Sequence, residues 1–281
     1  MKNKPFAKKS LGQNFLVDDS AIDRIVAALD LLKDDTVIEI GPGRGALTRH
    51  LIEQAGRVIA IELDRELVPM LREQFRDSEN FSITEADALE VNFRSLRSAP
   101  PDESSDPSDT RSKLVANLPY YISTAILQHL IEQLDAFSLM VLMFQKEVVD
   151  RITAKPGDSE RGYLTVMVEA YLEAEKLFDA PPTAFRPQPK VQSSVVKLVP
   201  RKSVAGEVRL SPGAEESLRT LVSAAFAQKR KTILNNLKHG YPNSAVFLKA
   251  ADIDPTRRAE SLTIAEWFRL EGEASKGSIS T

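Results

Sequence analysis

Apolar residues fall along this chain in two kinds of run, and their alternation predicts the fold. Ile22, Ile25, Val26 and Leu29 recur at i, i+3, i+4 and i+7, one face of a helix that Asp19 or Ser20 is placed to cap. Thr36–Ile40 is a short β-rich run, Ala46–Gln54 reads as a helix, and Arg57–Leu63 as a second buried strand. Asp64 then stands ready to cap a helix over Glu66–Phe75, with an irregularity expected at Pro69, past its first turn. Phe81–Glu85 is a third strand, and Leu114–Ala116 ends a fourth that leads to a helix over Ser123–Leu134. Leu139–Phe144 is a fifth strand, followed by a helix over Lys146–Thr153, a further helix, a strand near Leu172–Leu177 and a last one over Ser193–Leu198. Strands alternating with helices imply parallel βαβ units, the final pair forming a hairpin that adds an antiparallel strand. Beyond Pro200 the spacing over 211–238 and 245–275 is helical, with little strand propensity. The expected organisation is an α/β domain over 1–200 and a small all-α domain over 201–281. Ser98–Ser112, rich in Pro, Ser and Asp, is expected to be a mobile surface loop.

Composition narrows what such a chain does. Its 281 residues, 42% hydrophobic and 27% charged, describe an ordinary soluble protein large enough for two domains. No apolar run approaches the length of a bilayer span, and the basic start (Lys2, Lys4, Lys8, Lys9) lacks the apolar core of a signal peptide. A cytoplasmic location is expected, with no membrane partner. The absence of cysteine excludes disulfides, thiolate metal sites and a cysteine nucleophile, which rules out cytosine-5 methylation through a thiol adduct. His50, His129 and His239 are scattered, so no metal is expected. The net charge is −3, yet Phe185–Lys202 carries five basic residues and Leu221–Tyr241 four, neither with an acid. Basic faces on an acidic chain suit contact with phosphates at one surface.

The candidate chemistry sits at strand ends. Gly41, Gly43 and Gly45 lie between a strand and a helix, where a ligand can approach the backbone and meet the N–H groups of the helix start. Glu62, 21 positions after Gly41, ends the second strand and is placed to grip ribose hydroxyls; Asp87, after the third, is placed to accept from an adenine amino group. These features point to an adenosine-containing cofactor. The run Gly41–Ala46 also satisfies the dinucleotide pattern, so an NAD-linked oxidoreductase is a rival reading. Glu39, before the glycines, adds negative charge that would suit a cationic sulfonium and repel a pyrophosphate. After the fourth strand, Asn117-Leu118-Pro119-Tyr120 turns the chain, and Pro119 has no N–H to give, so carbonyls are left to face a cleft. An amide oxygen and a carbonyl there can accept both hydrogens of an exocyclic amine while Tyr120 stacks on its ring. That favours S-adenosyl-L-methionine, a methyl donor, over a hydride carrier.

The stretches LGQNFL, VIEIGPGRGALT, AIELD, EADAL, VANLPYYIST, AFRPQPKVQSSVV and FAQKRKTILNNL, in this order from about Lys8 to Leu270, jointly resemble the bacterial small-subunit (16S) ribosomal RNA adenine N6,N6-dimethyltransferase family. The resemblance implies a Rossmann-like class I methyltransferase sheet, mostly parallel, with seven strands ending in an antiparallel hairpin, and a helical RNA-binding domain. It implies cofactor contacts at Asn14, Leu16, Gly41, Glu62, Asp87 and Asn117, joined by Gly43 from the glycine turn. It places the target base among Asn117, Leu118, Pro119, Tyr120 and Phe185, with Tyr120 and Phe185 sandwiching the ring. Arg186, Lys190, Lys229, Arg230 and Lys231 are then candidates for RNA phosphates. The implied partners are small-subunit RNA and the pre-30S particle, met late in assembly by a monomer. Ser98–Ser112 is longer than the family pattern leads one to expect. A large-subunit dimethyltransferase of the macrolide-resistance kind is the nearest alternative, against which FAQKRKTILNNL weighs; a non-enzymatic assembly factor is another.

Overall fold

The computed structural model describes residues 7–8, 11–96, 111–201 and 212–278. Residues 98–110 of the expected surface loop, with Lys2, Lys4 and Lys9, lie outside the described residues. The chain divides into two compact units: one runs through Val149 and resumes over Glu173–Pro200, and the other joins Asp150–Leu172 to the residues from Arg201 onward.

The first unit is built on a sheet of β2 (Thr36–Ile40), β3 (Arg57–Glu62), β4 (Phe81–Glu85), β5 (Ser112–Asn117), β6 (Phe137–Gln145), β7 (Leu172–Ala180) and β9 (Ser193–Pro200), in the order β4-β3-β2-β5-β6-β9-β7. The strands β2 to β6 are parallel, and β9 runs antiparallel to β6. β7 and β9 form the terminal antiparallel hairpin. Every residue of β2 is buried, and β6 is buried at all but its second and last positions, the near-continuous apolar character of parallel strands covered on both faces. The sheet is laid out from β2 through β3 to β4 on one side and from β5 to β6 on the other. The switch therefore falls between β2 and β5, where α/β sheets open a crevice at their carboxyl ends. In register, Ile40 lies beside Ile61 and Ala116, Glu62 beside Glu85, and Asn117 beside Met143, so the candidate side chains emerge along one edge.

Several element boundaries differ from those expected. α1 (Asp19–Ala28) is capped by Asp18, whose carboxylate accepts from the Ala21 N–H at 2.8 Å. α2 begins at Thr48, after the glycine turn has uncoiled. α3 begins at Leu67, which puts Pro69 inside the first turn, where a proline is tolerated, and not past it as expected. Asp64 still anchors that start, its carboxylate accepting from the Glu66 N–H at 3.0 Å. α4 (Ser123–Ile131) also belongs here, and α5 (Lys146–Ile152) begins in this unit and ends in the other. A small second sheet was not expected: β1 (Phe15–Leu16) pairs antiparallel with β8 (Phe185–Arg186), Leu16 opposite Phe185.

The second unit is helical: α6 (Tyr163–Tyr171), α7 (Pro212–Ala225), α8 (Ile233–Leu237), α9 (Ser244–Ala250) and α10 (Ile264–Ser278). Its core gathers Leu218, Leu221, Val222, Ile233, Leu248, Trp267 and Leu270, and Val166 of α6 belongs to the same cluster. Arg161 helps tie this mid-chain segment to the C-terminal helices: its buried guanidinium, held within the segment by Glu169 at 2.6 Å, donates to the Leu262 carbonyl at 3.0 Å. The helical spacing expected over 211–238 resolves into two helices, separated at 226–232 by the turn that carries the basic triplet.

Candidate active site

A cleft of about 800 Å³, including its open mouth, lies at the carboxyl ends of β2, β3, β4 and β5. Its walls come from Leu11–Phe15, the glycine turn, Glu62, Asp87 and the 117–122 corner. On the donor side, Gly41 and Gly43 have φ of +68° and +58°, a region that glycine enters without cost. A Cβ on Gly43 would stand 2.9 Å from the Phe15 ring, whereas at Gly41 nothing lies within 4 Å, so that backbone is open to a ligand. Glu62 is buried, accepting from the Gly43 N–H at 3.1 Å and the Asp64 N–H at 2.9 Å. Burial pushes its carboxyl above the ordinary range, those two N–H groups partly offsetting it. Asp87 uses one carboxylate oxygen to accept from the Leu89 N–H at 2.9 Å, and the residue lines the cleft.

Glu39 does not act as expected. It is 1% exposed, Thr48 Oγ1 donates to it at 2.6 Å, and burial raises its pKa to about 8. At neutral pH it is mostly protonated, and it is not among the residues lining the cleft, so it carries no argument for a cationic ligand.

The acceptor side is the corner after β5. Asn117 Nδ2 donates to the Asn14 carbonyl at 3.0 Å; since that carbonyl can only accept, the amide is oriented and Oδ1 is the atom left for another donor. The Pro119 carbonyl accepts from the Ile122 N–H at 3.2 Å and the Tyr120 carbonyl from Ser123 Oγ at 3.1 Å. Of the Leu118 and Pro119 carbonyls, either of which could be the acceptor beside the Asn117 amide, Pro119's is drawn into the turn. Tyr120 is half-buried, and its hydroxyl shares a hydrogen bond with Ser193 Oγ at 2.6 Å, which fixes the ring at the cleft wall.

The sequence of the chain matches the ribosomal RNA adenine dimethylase family over residues 5–276. It is 42% identical to the ribosomal RNA small subunit methyltransferase A of Alcanivorax borkumensis over 94% of this chain and 88% of that one. It is 43% identical to the protein of the same name from Hahella chejuensis, over 94% and 91%. The chain belongs to the ribosomal RNA adenine dimethylase family. Among solved structures, a dimethyladenosine transferase from Plasmodium falciparum superposes with a TM-score of 0.77 at 27% identity, covering 94% of this chain and 98% of that one. The 23S rRNA methyltransferase ErmE does so at 0.70 and 28%, covering 93% and 100%. The seven-stranded sheet is thus a class I methyltransferase sheet.

Within this methyltransferase framework, Asn14, Gly41, Gly43, Glu62, Asp87, Asn117, Leu118, Pro119 and Tyr120 are brought to one cleft. Leu16 and Phe185 are not. Leu16 is 5% exposed, and Phe185 is fully buried in the core with Leu16, Ile22 and Val195, so neither face of its ring is open to a base. Phe185 is therefore not available as one face of the expected sandwich, and it instead seats β1 through the small sheet. Residues missed in the sequence are Gln13 and Tyr121, the latter 60% exposed at the cleft and lying over Gly12. No periodicity marks them. Arg186 and Lys190 are exposed in the first unit, Lys229, Arg230 and Lys231 in the 226–232 turn of the second. Among the described residues no cluster of His, Cys, Asp or Glu is disposed to hold a metal ion, and no helix is long and apolar enough to cross a membrane.

Proposed function

We propose that this chain transfers methyl groups from S-adenosyl-L-methionine to N6 of two adjacent adenosines in the 3′-terminal hairpin loop of small-subunit ribosomal RNA, giving N6,N6-dimethyladenosine late in assembly. The observation that carries the reading is the oriented Asn117 amide, its Oδ1 left for a donor in the same cleft as the open glycine backbone and Glu62. In this reading the cleft takes an adenosine, with Glu62 gripping the ribose hydroxyls and Asp87 accepting from the adenine amino group; both residues line the cleft, and the Gly41 backbone leaves room for close approach. Bound there, the cofactor supplies an electrophilic methyl group on a sulfonium.

The target amine is a weak nucleophile because its lone pair is delocalised into the purine. Asn117 Oδ1 and the Leu118 carbonyl accept its two hydrogens, hold the nitrogen nearer to tetrahedral and aim its lone pair across the cleft. Most of the rate then comes from orientation and electrostatics, since the N–H turns acidic only as the new bond forms. Tyr120 stacks on the extruded ring, worth about 1–3 kcal/mol. After one transfer a single N–H remains; the open corner at Pro119 leaves space for the methyl group already in place.

Arg186, Lys190, Lys229, Arg230 and Lys231 hold RNA phosphates, which position the substrate without choosing its sequence. Small-subunit RNA is favoured over the large-subunit alternative by the 40–43% identity to small-subunit enzymes across nearly the whole chain. The reading is tested by mass spectrometry of small-subunit RNA from cells with and without this chain: dimethyladenosine disappears with it. A large-subunit adenosine losing its methyl groups instead would contradict the assignment.

A further inference from the structure

Asp64 has no part in the chemistry above, yet its carboxylate is buried and densely held. Lys8 Nζ donates to one oxygen at 2.6 Å and Gln13 Nε2 to the other at 2.8 Å. The two donors are themselves joined, the Lys8 N–H reaching Gln13 Oε1 at 2.8 Å, and the Lys8 carbonyl accepts from the N–H groups of Leu11 at 3.1 Å and Gln13 at 3.4 Å. Lys8 and Leu11–Asn14, the N-terminal lead into β1, are thus tied together and pinned just beyond the end of β3. The far end of this lead is Asn14, whose side chain donates to the Gly12 carbonyl at 3.2 Å and whose own carbonyl accepts from Asn117. The Tyr121 ring lies over Gly12, its nearest atom 3.1 Å from where a Cβ would stand, and closes the turn from the other side of the cleft.

We propose that Asp64 is a positioning residue for Asn117, acting through the lead at Lys8, Gln13 and Asn14. A carboxylate at the donor-side strand end thereby sets the amide that receives the substrate amine on the acceptor side. This rests on the proposed role of Asn117. The N–H···O bond from Asn117 to Asn14 orients the amide only while the Asn14 carbonyl is itself fixed, and Asp64 is the buried charged anchor of the lead; the other carboxylate on Lys8, Glu66 at 3.1 Å, is exposed. Freed from it, the lead releases the carbonyl, the Asn117 amide rotates, and Oδ1 is correctly placed for only part of the time.

The test approaches the anchor from both sides. Asp64→Ala removes the carboxylate, and the double variant Lys8→Met, Gln13→Leu removes its donors while leaving β3 untouched, so a folding defect specific to Asp64→Ala does not end the test. In both, kcat for transfer to small-subunit particles is expected to fall about ten- to a hundredfold with KM for the particle little changed. The Asn117 side-chain amide NMR signal is expected to move to its solvent-exchanging position. An unchanged kcat, or a lowered kcat with the amide signal unmoved, overturns the proposal. Should Asn117→Ala itself leave kcat intact, the proposed function fails, while the amide signal still reports whether the clamp exists.

Discussion

Glu39 shows how burial decides what a charged residue does. In the unfolded chain its carboxyl titrates near 4.5, and in the folded protein near 8. Between those values the folded state binds the extra proton, so stability falls as pH rises through that window. Urea denaturation at pH 6 and pH 8 is expected to show lower stability at the higher pH, and Glu39→Gln, which keeps a neutral partner for Thr48, is expected to flatten that fall. An equally steep fall in the variant would show that Glu39 is ionised in the folded state. From the sequence, a carboxylate ahead of the glycines reads as a charge near a ligand; only its place in a strand flanked by β3 and β5 reveals a neutral core acid. Phe185 follows the same logic. A lone aromatic before Arg186-Pro187 carries no period, so neither core nor stacking ring is marked in the sequence, and its pairing opposite Leu16 decides for the core. Asn117, Leu118, Pro119 and Tyr120 were legible because a proline after a buried strand constrains its neighbours whatever the tertiary context.

At the scale of elements, the turn between β2 and α2 brings donor-side backbone and N-terminal lead together. Gly43 is the residue that permits it, with φ of +58° and the Phe15 ring against its Cα. Gly43→Ala is expected to cost roughly 1–2 kcal/mol from the left-handed backbone alone, plus displacement of Phe15. Calorimetry is expected to show S-adenosylhomocysteine binding weakened by about tenfold or more, against unaltered binding if the turn tolerates a side chain. The main strands were readable because parallel strands buried on both faces leave continuous β-branched and apolar runs. The pairing of β1 with β8 was not, since two residues a side make no pattern and the partners stand far apart in the chain. The break between α7 and α8 was hidden too: Lys229, Arg230 and Lys231 fit a solvated helix face as well as an exposed turn.

For the whole molecule, a net charge of −3 leaves RNA affinity to local basic groups. Replacing Lys229, Arg230 and Lys231 together by alanine is expected to weaken binding to small-subunit particles and to lower the slope of log affinity against log salt by roughly two to three. Cofactor binding is expected to stay unchanged, and a wild-type salt slope would remove the triplet from the RNA contact. The division of the chain was partly legible, because strand propensity ends near Pro200. That Asp150–Leu172 joins the helical unit rests on the bond of Arg161 to the Leu262 carbonyl and on Val166 in the helical core, long-range attachments with no local signature. The central claim is that the corner after β5 holds the amine of a swung-out adenine through Asn117 while the donor binds independently beside it. Single-turnover methyl transfer to small-subunit particles by Asn117→Ala, paired with calorimetry of S-adenosylhomocysteine, addresses it most directly. Transfer slowed on the order of a hundredfold or more, with cofactor affinity within a few-fold of wild type, is the predicted result; transfer that persists, or that falls only in step with cofactor affinity, would contradict it.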